Sequence, residues 1–174
     1  RTMNQISALF SQQGNVVIDA GILGGPPTSK GSPRVYCSGP ELSSLSTLSR
    51  AGLDIRILSD KIGDASAFKM IYAASTKGTT ALWTQFLVAA KALNLDNHLF
   101  NEFQNHRKDI STLLMKEIPG MPRRSKRWVG EMEEIAITFE DLGMTPKLMS
   151  GAAEIFKLVA ETNLSSQTSD EQDP

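Results

Sequence analysis

The sequence is poor in the residues that most often announce a chemistry. It has one cysteine, Cys37, and two histidines, His98 and His106, among 174 residues. A lone cysteine excludes an intrachain disulfide framework and fits a reducing compartment. With both histidines on a polar helical stretch, no zinc constellation of ordinary spacing forms, and both read as solvated. Long apolar runs are missing as well. None reaches the ~18 residues a membrane-crossing helix needs, and the best stretch, residues 81–92, is interrupted by Thr84 and Gln85. No sign of charge dominates: 18 Lys and Arg against 19 Asp and Glu leave a formal net charge of −1. That balance argues against a nucleic-acid binder working through a broad positive field.

What remains is an ordinary globular composition, 40% hydrophobic and 21% charged, with a change of character near residue 60. The opening RTMNQISALFSQQG has no long apolar core of the secretory kind. Met3, Ile6 and Phe10 recur at helical spacing, as in a chain entered mid-helix, so the sequence is expected to be the C-terminal part of a longer protein. VVIDAG (16–21) reads as a strand buried on both faces. GGPPTSKGSP (24–33) is loop by composition. RVYCSG (34–39) and DIRILS (54–59) read as strands around a helix at 40–52, opened by Pro40 and closed by Gly52. Beyond residue 60 the pattern is helical. Helices are expected at 66–93 with Gly78 inside, at 96–117 with Asp96 as N-cap, at 124–142 stopped by Gly143, and from about 146 to 162. The polar, acidic end reads as disordered.

One lysine stands out in GDASAFKMIYAASTKG (63–78). At about 100° per residue, Lys69, Ala73, Thr76 and Thr80 share one stripe of the long helix, flanked by Ser66, Tyr72, Lys77 and Thr84. The rest of the circumference is apolar, as in a buried central helix. Two readings follow. Lys69 either snorkels its ammonium to the surface or lines a cleft as an acid or base, with the hydroxyls of Tyr72, Thr76 and Thr80 around it.

KMIYAASTKGTTAL and the later RWVGEMEEIAITF together resemble the C-terminal domain of the β-hydroxyacid dehydrogenase and 6-phosphogluconate dehydrogenase superfamily. Within it, the chain is most similar to the NAD-binding, phosphogluconate-dehydrogenase-like proteins. The resemblance implies an α/β segment, the end of a Rossmann-type sheet, followed by an all-α helical domain around a long central helix. Residues 1–61 would close the nucleotide-binding domain, 62–163 would form the helical substrate and dimerisation domain, and 164–174 the tail. The superfamily's DAPVSGG substrate loop corresponds to DAGILGG (19–25), which keeps Gly24 and Gly25 but puts Leu23 in place of the serine. Lys69 falls at the position of the catalytic lysine, while Ala73 replaces the asparagine one turn later. If the polar stripe lines the cleft, Tyr72 and Thr76 would join Gly24 and Gly25 in binding substrate; by the resemblance, Arg127 in PRRSKRWVGEMEE would contact the cofactor. The residues themselves leave a second option there, ion pairs of Arg123, Arg124 or Arg127 with Glu131, Glu133 or Glu134.

The family's nicotinamide site needs a GxGxxG turn after a first strand, and the chain contains none. GILGGPPTSKG is no P-loop either, since Gly31 rather than Ser or Thr follows Lys30. The resemblance therefore implies an NAD- or NADP-dependent oxidoreductase of a small hydroxy acid or related carbonyl compound, cytoplasmic and homodimeric, of which this chain is the C-terminal portion. The alternative is a helical dimerisation or scaffold module that no longer catalyses, which Leu23 and Ala73 favour.

Overall fold

The computed structural model describes residues 2–28 and 31–167. It divides into two compact units, residues 1–72 and 73–174, so the division falls beyond the expected residue 61. The physical reason is that the first helix after the sheet packs on the sheet itself.

The first unit begins with α1 (Thr2–Ser11) and carries a three-stranded sheet in the order β1 (Asp19–Leu23), β2 (Arg34–Ser38), β3 (Asp54–Ser59). β1 runs antiparallel to β2, and β2 parallel to β3 through α2 (Leu45–Arg50). Two expectations need correction. The first strand starts at Asp19 rather than Val16, and it is buried on one face only, with Asp19, Gly21 and Leu23 inside and Ala20 and Ile22 outside. An antiparallel edge position leaves one face to solvent. The helix expected at 40–52 shrinks to Leu45–Arg50 because the Glu41 carboxylate accepts from Ser43 N at 3.0 Å, folding the approach into a turn. α3 (Asp64–Ala73) follows β3.

In the second unit, Ala74–Gly78 winds as a π turn before α4 (Thr79–Ala92), so the single helix expected at 66–93 is interrupted. The extra residue per turn breaks the 100° arithmetic that grouped Thr76 and Thr80 with Lys69. The helix expected at 96–117 is likewise two, α5 (Asp96–His106) and α6 (Lys108–Glu117), parted at Arg107, whose φ of −141° and ψ of 60° are not helical. Leu95 rather than Asp96 holds the N-cap position, and Asp96 sits in the first turn, where its charge suits the helix dipole and accepts Lys91 Nζ at 2.8 Å. α7 (Pro122–Asp141) stops before Gly143, whose φ of 73° favours glycine. α8 (Lys147–Ala160) packs back against it, and Asn163–Ser166 forms a 3₁₀ turn where the disordered tail was expected to begin. The remainder of that tail, 168–174, lies outside the described residues.

The core of this unit sits between α7 and α8. Met132, Ile135 and Phe156 are at most 1% exposed, and the Trp128 and Phe156 rings meet edge to face with centroids 5.1 Å apart. Each such side chain stabilises the fold by about 1.5–3 kcal/mol through burial.

Candidate active site

The geometry around Lys69 is set by how α3 begins. A helix leaves its first four N–H groups without partners inside the helix, and here every one is accounted for. Asp64 N donates to Lys61 O and Ala67 N to Gly63 O. Ala65 N donates to Ser38 Oγ at 3.0 Å, and Ser66 N to Asp19 Oδ2 at 2.8 Å. The Ser66 hydroxyl adds a 2.6 Å bond to Asp19 Oδ1, and the Ser38 hydroxyl reaches Asp19 Oδ2 at 3.5 Å. Asp19 is 2% exposed. A buried carboxylate is costly unless its lone pairs are filled, and these donors, together with the positive helix end, fill them.

From that anchor α3 crosses the inner face of the sheet. Successive same-face residues of β2 meet it in order: Ser38 at Ala65, Tyr36 at Phe68 with ring centroids 4.6 Å apart, and Arg34 at Tyr72, its guanidinium 6.0 Å from the ring centre. The helix therefore runs antiparallel to β2 and along β1 from Asp19 towards Leu23. Gly21 makes this approach possible. A Cβ there would stand 2.7 Å from Ala65 O and 3.2 Å from Lys69 Cβ.

Lys69 thus has its root on β1 and its exposed ammonium outside, without a hydrogen bond or ion pair to any described residue. Past Leu23 the chain turns at Gly24, with φ of 119°, and Gly25, both exposed. These glycines, with Leu23, Pro33 and Arg34, line an open hollow. In the first unit Gly24 and Gly25 lie past the end of β1 and Tyr72 beside Arg34, while Lys69 sits at Gly21, in the middle of that strand. Thr76 and Arg127 belong to the helical unit.

There, Thr76 is exposed and donates to Ala73 O at 3.3 Å. Thr80 and Thr84, both buried, donate to the carbonyls of Thr76 and Thr80 at 3.0 and 2.8 Å, so their hydroxyls are spent on their own helix. Arg127 Nε lies 3.2 Å from Glu131, whose carboxylate also receives Lys77 Nζ. Lys77 and Arg124 stand 5.7 and 5.1 Å from the Trp128 ring centre. His98 and His106 are exposed, as read, and no group of metal-ligating residues occurs among the described residues. No described helix is long and apolar enough to cross a membrane.

Sequence reasoning missed Asp19, Ser38 and Ser66 as a unit, Gly21 as the seat of α3, and Arg34 as lining of the hollow. The available signal was DAG at the head of a strand, an acid followed by a residue without a side chain. Elsewhere in the first unit, burial and then the nearby Asp19 charge push the Cys37 thiol up, and hydrogen bonds from Arg56 hold Asp54 below the usual carboxylate range.

Residues 90–159 match the model of a domain of unknown function, DUF1932. A conserved protein of unknown function, whose structure reveals structural similarity with 3-hydroxyacid dehydrogenases, aligns with a TM-score of 0.72 and 26% identity over 96% of this chain and 64% of its own. The fold is 3-hydroxyacid dehydrogenase-like. A conserved hypothetical protein from Sinorhizobium meliloti shares that fold at a TM-score of 0.68 and 20% identity, over 80% of this chain and 48% of its own. An uncharacterized 28.5 kDa protein of Methanothermus fervidus, from the 7S RNA 5′ region, is 25% identical over 129 residues, 74% of this chain. The chain spans 51% of that protein's length. The resemblance read from KMIYAASTKGTTAL and RWVGEMEEIAITF is borne out, and so is the small sheet followed by helices.

Proposed function

We propose that the chain is the C-terminal portion of an NAD(P)-dependent oxidoreductase acting on a small hydroxy acid or related carbonyl compound. One observation carries the reading: Lys69 is seated on β1 at Gly21, on the way to the Gly24–Gly25 turn, in a 3-hydroxyacid dehydrogenase-like fold. In that role the Lys69 ammonium gives a proton to the carbonyl oxygen during reduction, or its amine takes the hydroxyl proton during oxidation. Gly24 and Gly25 let the substrate approach the backbone, and Tyr72 adds a hydroxyl. Arg127 is the residue assigned to cofactor contact, although its ion pair with Glu131 must open for it to serve.

The described residues do not fit a dinucleotide by themselves. The sheet has no glycine-rich turn between a strand and a helix that could receive the pyrophosphate. Nicotinamide binding is therefore assigned to sequence outside this chain. A cytoplasmic setting suits the single free thiol. Exposed Leu82, Val88, Leu148 and Leu158 on α4 and α8 support a homodimer formed through the helical unit, which sedimentation of the intact protein would detect.

Lys69→Met in the intact protein should lower turnover about a hundred- to ten-thousandfold while leaving the circular dichroism spectrum unchanged. Near-normal turnover would sink the assignment. Leu23 and Ala73, in place of the family's serine and asparagine, favour a second reading, a scaffold domain without catalysis. Dinucleotide binding by the intact protein separates the two, because a pure scaffold needs none.

A further inference from the structure

Arg34 opens β2 and is half-buried. Its cross-strand partner is Leu23, next to the Gly24–Gly25 turn, and residues opposed across an antiparallel pair point to the same face. The Tyr72 ring lies beside its guanidinium and restrains a side chain otherwise free to swing. Together with Gly24 and Gly25, Arg34 lines the hollow at the end of β1.

Arg34 has no hydrogen-bonded acid among the described residues, although its charge adds to the Arg56 hydrogen bonds that hold the Asp54 carboxyl below the usual range. The acid opposite it on β3 is Asp54, but Arg56 already grips that carboxylate with Nε at 3.1 Å and Nη2 at 3.0 Å. Neither Arg34 nor Lys69 makes a hydrogen bond or ion pair to any described residue. Arg34 thus lines the hollow without a hydrogen-bonded acid among the described residues, and Lys69 lies about one helical turn before Tyr72, the neighbour of its guanidinium. A guanidinium presents a planar fork that matches carboxylate and phosphate in bidentate fashion. Leu23, meanwhile, brings no hydroxyl to the turn where an anionic ligand would otherwise find one.

We infer that Arg34 is the anion anchor of this site, its fork taking a compact oxyanion, carboxylate or phosphate, of the ligand that enters beside Gly24 and Gly25. The link to turnover rests on the reading of Lys69 above; the anion affinity does not. With the anion held by Arg34 at the mouth of β2, the ligand's adjacent carbon is directed back along α3 towards Lys69. The geometry makes Arg34 a determinant of which small molecules enter.

The test is a titration of the intact protein, labelled with ¹⁵N on arginine, with glycerate, glycerol 3-phosphate and glycerol. Binding of either anion should move an arginine Nε signal that disappears in Arg34→Gln, and that variant should bind it about 10- to 100-fold more weakly. Preference for glycerate assigns the carboxylate, and preference for glycerol 3-phosphate the phosphate. Arg34→Lys keeps the charge without the fork and should show a smaller loss, so it serves if Arg34→Gln does not fold. Affinity equal to wild type in both variants, or anions binding no better than glycerol, overturns the assignment. Lys69→Met should retain the Arg34 signal change; if it also retained turnover, the acid–base reading would fall while the anion anchor stood.

Discussion

The two units hold their helices by opposite means. α3 is fixed by polar groups: a buried carboxylate and two hydroxyls at its N-terminus and a missing side chain at Gly21. α7 and α8 are held by an apolar hairpin in which Phe156, Met132 and Ile135 are excluded from water. Hydrogen bonds are directional and contribute modest net stability, whereas apolar burial is strong and tolerant of small displacements. The contrast teaches where placement matters. The helix that carries Lys69 is latched by directional bonds, and the α7–α8 pair is held by apolar burial.

The largest expected effect is in the apolar unit. Phe156→Ala removes a fully buried ring and should cost about 3–5 kcal/mol, read as a lower denaturation midpoint with loss of amide protection in α7 and α8. Asp19→Ala should cost about 2–3 kcal/mol, because Ser66 N and the Ser38 and Ser66 hydroxyls lose their acceptor. Exchange should then quicken in the first turn of α3 and leave α7 unchanged; equal loosening of both helices would erase the distinction drawn here. Gly21→Ala sets a methyl against a backbone carbonyl and should cost about 1–3 kcal/mol, with turnover falling more than stability if α3 is displaced at Lys69. Thr84→Val exchanges a hydroxyl that serves only its own helix for a methyl and should change stability by less than about 1 kcal/mol.

The Cys37 thiol extends the comparison to pH. Because burial raises its pKa in the fold, the unfolded chain loses the proton first as pH climbs past the ordinary thiol range. The native state then binds more protons than the unfolded state, so stability should decline with rising pH there. Alkylation by iodoacetamide should be slow in native protein and fast in denaturant.

Much of the helical unit was legible because its apolar period is long and regular: Trp128, Met132, Ile135 and Ala136 on one face announce α7 without help. The π turn and the break at Arg107 were not, since each shifts the winding by a residue or two while leaving the apolar period nearly intact. In the sheet, VVIDAG advertised a strand but not its register. Pairing of Asp19 with Ser38 sets that register, and pairing is a property of two segments at once. Lys69, Gly24 and Gly25 could be singled out from local sequence and resemblance. Arg34 could not, because its meaning comes from Tyr72 beside it and from Asp54 being already engaged.

The Asp19–Ser66 latch also sets an order of assembly. Its partners are 47 residues apart in the chain, and closing so long a loop costs entropy before any bond is gained. The α7–α8 hairpin, by contrast, joins neighbouring helices across a short turn, and such local contacts form fastest. The helical unit is therefore expected to consolidate while α3 still lacks a fixed beginning, so that amide protection in α7 and α8 precedes protection at the first turn of α3.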